Sequence, residues 1–244
     1  MIRCWRVIGL ALLCACAVPP RSFTISAAAN LQPAFSEIGA AFERQTGVRV
    51  IFNFGATGAL AQQIAQGAPV DLFAAADRAT IDDLVVRDWV LADSVQVYAR
   101  GQIVLYTRGE FLPSSLDDLA RPEIKRIAIA NPERAPYGAA AREALKKANL
   151  WETLQSKIIL AENIQQTQQY ADTGNVEVAI VARSLVVNAL GRWAPIPESL
   201  YPPIDQALGV VKRTKNESDA RAFAKFVASP AARNVLEKYG YQFP

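Results

Sequence analysis

Leu31, Phe35, Ile38 and Phe42 recur at spacings of four, three and four, the apolar face of one helix, and the run stops at Gly47. Ahead of it, Phe23 to Ala27 reads as a short buried strand. Behind it, Val48, Val50, Phe52 and Phe54 alternate as a second strand. A short helix over Leu60 to Gln66 ends at Gly67. Val70 to Ala75 is a third strand, and Ile81 to Arg87 a third helix. Strand and helix in alternation predict a sheet of parallel strands covered on both faces. A second series starts at the β-prone run Gln102 to Thr107. It continues with strands over Ile127 to Ala130, Ile158 to Leu160 and Val176 to Val181, separated by helices over Ala139 to Ala148 and Ile164 to Ala171. Pro195, Pro197, Pro202 and Pro203 mark an irregular stretch. One more strand, Ala207 to Lys212, and two helices, Ser218 to Val227 and Ala231 to Tyr239, close the chain.

Four of the strand-to-helix junctions share a character. Ala27-Ala28-Ala29-Asn30-Leu31, Phe54 to Leu60, Ala135-Pro136-Tyr137-Gly138-Ala139 and Glu162 to Gln166 each break a β-prone run at small or polar residues before a helix begins. Helix starts expose N–H groups that have no partner within the helix, and these suit an anion. None of the four turns carries Lys, Arg, His or Cys. Such parts can hold an oxyanion but have little with which to transform one, so the pattern points to a receptor rather than an enzyme.

The start of the chain changes the picture of location. Arg3 and Arg6 precede the apolar run Val7 to Leu13, then small residues and Pro19-Pro20, the layout of a secretory signal too short to span a bilayer. All three cysteines, Cys4, Cys14 and Cys16, lie in that leader. Leu13-Cys14-Ala15-Cys16 reads as a lipoprotein cleavage box with Cys16 lipidated, and Ala15-Cys16-Ala17 equally as an ordinary cleavage site. The body therefore has no disulfide and no thiol chemistry. The chain has no histidine, which removes the commonest general base and the commonest transition-metal ligand. A formal net charge of +3, two of whose positives sit in the leader, argues against a nucleic-acid binder. The 244 residues leave room for two lobes after the leader. The expected division is 1–21 as signal peptide or lipoprotein leader, 22–101 with 206–244 as lobe 1, and 102–205 as lobe 2.

Ser26-Ala27-Ala28-Ala29-Asn30-Leu31, Thr57 to Ile64, Gly67 to Asp77 and Asn131 to Gly138, in this order and at these separations, resemble the periplasmic molybdate-binding proteins that deliver their anion to an ABC importer. The resemblance covers essentially the whole length after the leader. It implies a two-lobed periplasmic binding protein fold of type II, each lobe a mostly parallel sheet flanked by helices, with the ligand in the cleft between them. It implies no catalysis, no cofactor, no direct metal-ion ligand, a monomer, and an ABC permease as partner. Carried over residue by residue, the first-lobe ligands are Asn30 and Thr57. The second-lobe ligands are Tyr137 and Ile164, chiefly through main-chain N–H groups. Many members offer a tyrosine hydroxyl where this chain has Ala182, so a main-chain group or the Asn30 amide is expected to make up that contact.

The chemistry of the ion agrees. Molybdate near neutrality is a fully deprotonated tetrahedral dianion whose oxygens all accept, and tungstate is its close analogue. A neutral cage of N–H and O–H donors satisfies either. Phosphate keeps a proton and would call for a carboxylate acceptor, which none of the four turns provides at the expected ligand positions. Other readings are a receptor for sulfate or a small organic carboxylate, or an anion sensor that signals rather than transports. Asp71 and Asp77 are expected to be structural, because a carboxylate beside a dianion repels it.

Overall fold

A computed structural model describes residues 21–244; the leader and the reading of Cys16 lie outside the described residues. Strand β1 (Ser22–Ala28) leads through a short 3-10 turn, Ala29–Leu31, into helix α1 (Gln32–Thr46). Gly47, at φ 71°, ends α1 in the left-handed conformation that glycine adopts without a Cβ penalty. Then come β2 (Arg49–Gly55), α2 (Thr57–Ala65), β3 (Leu72–Ala75), α3 (Arg78–Val86) and β4 (Gln96–Gly101). The second series is β5 (Ile103–Thr107), β6 (Ile127–Ala130), α4 (Pro136–Lys147), α5 (Trp151–Leu154), β7 (Ile158–Ala161), α6 (Ile164–Asp172), β8 (Val178–Ala182), α7 (Arg183–Val186) and β9 (Arg192–Pro195). β10 (Ile204–Val210), α8 (Glu217–Val227) and α9 (Pro230–Lys238) complete the chain.

The strands form two five-stranded sheets, ordered β2-β1-β3-β10-β4 and β7-β6-β8-β5-β9. Each sheet is the centre of one α/β lobe. β1, β2 and β3 run parallel, as do β6, β7 and β8, while β10 and β5 enter antiparallel. The chain passes from the first sheet to the second at Gln102 and returns before Ile204, so β10 belongs to the first sheet although Ile204 pairs with Gly101, a residue 103 positions earlier. Two strands lie where the pattern did not place them. β4 pairs with β10, and β9 pairs with β5 at the sheet edge, where Pro195 needs no N–H partner on its outer side.

The face of the first sheet under α1, α8 and α9 is packed by aromatic edges, with Phe223 meeting Phe42 at 5.3 Å and Phe23 at 5.8 Å between ring centres. A separate cluster around Leu60, Ile64, Phe73 and Ile81 lies under α2 and α3. Because both series run strand then helix, the carboxyl ends of β1, β2, β6 and β7 point toward the junction of the lobes. That is where an α/β sheet presents its helix starts to a ligand. Among the described residues, no helix is long and apolar enough to cross a membrane.

Candidate functional site

The four expected residues surround one small cavity between the lobes, lined by Asn30 and Thr57 from one side and Tyr137 and Ile164 from the other, with small residues Ala28, Ala29, Gly55, Ala56, Ala76, Ala135 and Pro136 filling the gaps. The small residues let main chain come close to whatever occupies the centre. No charged side chain lines the cavity. Its free volume of about 10 Å³ is room for roughly one water molecule, so entry of a four-oxygen anion requires the lobes to part slightly.

The helix starts at this cavity are arranged so that particular donors stay open. The 3-10 turn at Ala29 and helices α2 and α4 have Ala28, Ala56 and Ala135 as N-caps, none with a side chain that can cap. By contrast, Asp77 caps α3 and Ser229 caps α9. On α6 the Asn163 side chain accepts from the N–H groups of Gln165 and Gln166, both at 3.0 Å, which leaves Ile164 as the first-turn donor without a cap bond. Gln166 reaches back to accept from the Glu162 N–H at 2.7 Å, a capping box extended by one residue. Pro136 at the start of α4 has no N–H to give, so Tyr137 is that helix's first donor. The Thr57 hydroxyl accepts from the Ala76 N–H at 3.1 Å, which fixes its oxygen and leaves its proton to donate.

Asn30 sits inside the 3-10 turn rather than at its cap, fully buried. The expectation that its side-chain amide supplies the extra donor does not hold. Gln206 Nε2 faces the carbonyls of Ala76 and Ile204 at 3.1 and 3.3 Å and must be the donor end, so Gln206 Oε1 is the acceptor end. Asn30 Nδ2 therefore gives one proton to Gln206 Oε1 and the other to the Tyr241 hydroxyl, both at 2.8 Å. Its main-chain N–H is the donor that remains for a ligand. Ala182, at the end of β8, is buried and brings only a methyl group; two residues on, the Ser184 hydroxyl donates across the cleft to the Asn30 carbonyl at 2.9 Å. The ring of Tyr137 is buried, and its hydroxyl reaches the first lobe beside Asn30 Nδ2 and Gln206 Nε2, at 3.4 and 3.5 Å. A main-chain bond, Gly58 N–H to the Arg134 carbonyl at 2.9 Å, also crosses the cleft.

Asp71 and Asp77 take structural bonds. Asp71 accepts from the Thr24 N–H at 2.7 Å and from Thr214 and Asn216, tying β1 to the segment after β10, and Asp77 accepts from the Thr80 N–H at 2.7 Å. Gln206, Tyr241 and Ser184 were not singled out by the sequence pattern. Only Gln206 left a trace there, as an amide immediately before the apolar run Ala207 to Val210. It also sits at the break in register between β10 and β4, a bulge that re-aims its side chain.

Burial pushes the phenols of Tyr98, Tyr137 and Tyr241 above their ordinary range, and for Tyr98 and Tyr137 the neighbouring phenols add to it, whereas hydrogen bonds with Ser184 and Asn30 partly offset the rise at Tyr241. A phenol whose folded pKa is raised contributes stability that is present below its unfolded value of about 10 and is lost as pH rises through the folded value. The melting temperature is therefore expected to hold between pH 7 and 9, by roughly the width of that window, and to fall steeply above about pH 10. Melting curves across this range, read with phenolate absorbance, check it; a midpoint that stays level at pH 11 while the phenols ionise would contradict it.

An uncharged cavity between two α/β lobes, walled by helix starts from both, is the arrangement of a two-lobed solute receptor. The chain belongs to the bacterial extracellular solute-binding protein family, whose model matches residues 23–242. It is similar to the molybdate-binding protein ModA of Rhodobacter capsulatus, 36% identical over 240 residues, 96% of this chain and 94% of that one. It is also similar to the putative ABC transporter substrate-binding lipoprotein YvgL of Bacillus subtilis, 33% identical over 90% of this chain and 86% of that one. Among solved structures, the periplasmic molybdate-binding protein of Azotobacter vinelandii superposes with a TM-score of 0.88 at 28% identity, covering 91% of this chain and 99% of that one. The chain is a binding protein and not an enzyme.

Proposed function

We propose that this chain is an extracytoplasmic receptor that binds molybdate, and tungstate with it, between its lobes and hands it to the permease of an ABC importer. The observation that carries the reading is the cavity itself: N–H and O–H donors of Asn30, Thr57, Tyr137 and Ile164 converge there without a charged side chain. A fully deprotonated dianion accepts at every oxygen, and helix N-termini stabilise its charge without a cation. The relatives named for molybdate support the choice of ion, which is cargo rather than cofactor. Residues 22–101 with 204–244 form one closing body and 102–203 the other, acting as a monomer; the return falls two residues before the expected 206, because Ile204 and Asp205 already pair with Gly101 and Arg100 of the first sheet. Export follows from the leader. The lipoprotein named among the relatives keeps a tether at Cys16 in play beside ordinary cleavage.

The test is thermal unfolding against a panel of anions. At a hundredfold its dissociation constant a ligand stabilises the folded state by about 2.7 kcal/mol. Molybdate and tungstate are expected to raise the melting temperature by several degrees, and phosphate and nitrate to leave it in place. A chain that responds to sulfate or a carboxylate and ignores molybdate is a receptor for a different anion.

A further inference from the structure

Asn30 is the meeting point of both lobes. From its own lobe, Gln206 and Tyr241 take its two amide protons, and Tyr241 returns a hydrogen bond to its carbonyl at 2.9 Å. From the other lobe, Ser184 donates to the same carbonyl at 2.9 Å. Asn30, Gln206, Tyr241 and Ser184 are all buried. We propose that Ser184 is the latch of lobe closure and a positioning residue for the ligand. Its hydroxyl closes onto an Asn30 that Gln206 and Tyr241 have already immobilised, and so locks the main-chain donors of the 29–31 turn toward the cavity. This rests on the reading of the cavity as the anion site.

Two features carry the assignment. The Asn30 carbonyl and the Asn30 N–H that faces the cavity are borne by the same residue, so hydroxyls gripping the oxygen fix the orientation of the turn that carries the donor. Second, Ser184 lies on α7, directly behind β8, and moves with the second lobe, whereas Tyr241 and Gln206 move with the first. The Ser184 bond therefore exists only when the lobes are together, and the Tyr241 and Gln206 bonds persist in either state.

The latch predicts a kinetic signature. In stopped-flow binding of molybdate, Ser184→Ala is expected to raise the dissociation rate about tenfold, the factor for one hydrogen bond of ordinary strength, with the association rate within about twofold of the parent. Ser184→Thr, which keeps the hydroxyl, is expected to restore slow dissociation. The melting temperature of the ligand-free variant should match the parent's. An unchanged dissociation rate overturns the proposal, as does a loss of ligand-free stability that moves both rates together, which would make Ser184 ordinary core. Should the parent itself not bind molybdate, the reading of the ligand fails, and the same two rates measured with whichever anion of the panel raises the parent's melting temperature decide the latch: a dissociation rate unchanged by Ser184→Ala overturns it.

Discussion

Thr57→Asp is expected to abolish molybdate binding while the protein stays folded. Thr57 is the first residue of α2, buried, with its hydroxyl oxygen accepting from the Ala76 N–H. A carboxylate oxygen can accept that same N–H, and a negative charge in the first turn of a helix is favourable, so the fold tolerates the change. The ligand does not. Two unit charges about 4 Å apart interact by roughly 4 kcal/mol at the effective dielectric of a protein site, and the ion carries two charges. One such repulsion already costs about a thousandfold in affinity. Thr57→Val separates charge from hydrogen bonding: it removes one donor to an ion, worth about 1.5–3 kcal/mol, and is expected to weaken binding about ten- to a hundredfold. Titration calorimetry on the two variants orders them. Near-parental affinity in Thr57→Asp would mean the anion sits somewhere other than among these helix starts.

The parts of the site visible in the sequence are those that depend on local backbone. Ala28, Ala29 and Ala56 before helix periodicity, Pro136 ahead of Tyr137, and Asn163 three residues before Gln166 all mark helix starts by short-range rules, and each start reaches the cavity. α1 was legible for the same reason, since Leu31, Phe35, Ile38 and Phe42 fall on one buried face and Gly47 stops it. β4 and β9 were not. Neither alternates cleanly, and each becomes a strand because a distant segment offers its ladder, β10 for one and β5 for the other. The network around Asn30 was hidden more deeply. Its partners stand 176, 211 and 154 positions away, so no window along the chain contains them together. Local reading gave Asn30 a spare amide because an amide has two donors; the fold spends both on Gln206 and Tyr241. Two-lobed closure is a tertiary property, and the side chains that report it are assigned by topology.

Two glycines separate closure from folding, and the contrast yields the last expected result. A Cβ on Gly101 would lie 1.9 Å from the Tyr137 hydroxyl oxygen and 3.2 Å from Gln206 Nε2. Gly101 ends β4 in the first lobe, while Tyr137 stands on α4 in the second, so the worse of these clashes exists only when the lobes meet. The Tyr137 ring is buried, and opening of the cleft carries its hydroxyl away from residue 101 and relieves the clash. Gly101→Ala is therefore expected to keep a near-parental melting temperature without ligand and to lose affinity for molybdate by about a hundredfold. That corresponds to an overpacking cost near 3 kcal/mol charged to the closed state alone. Gly138→Ala should behave in the opposite way. There a Cβ would meet the Ala130 carbonyl oxygen at 2.1 Å and carbon at 2.7 Å, main chain against main chain within one lobe, and no lobe motion relieves it. Its cost falls on the fold, and the ligand-free melting temperature is expected to drop by many degrees. Calorimetric melting of both variants, with molybdate titration of whichever folds, reads the two costs apart. Equal destabilisation of the ligand-free proteins would show that Tyr137 stays against Gly101 in every state, and closure would then have to be sought in a different pair of surfaces.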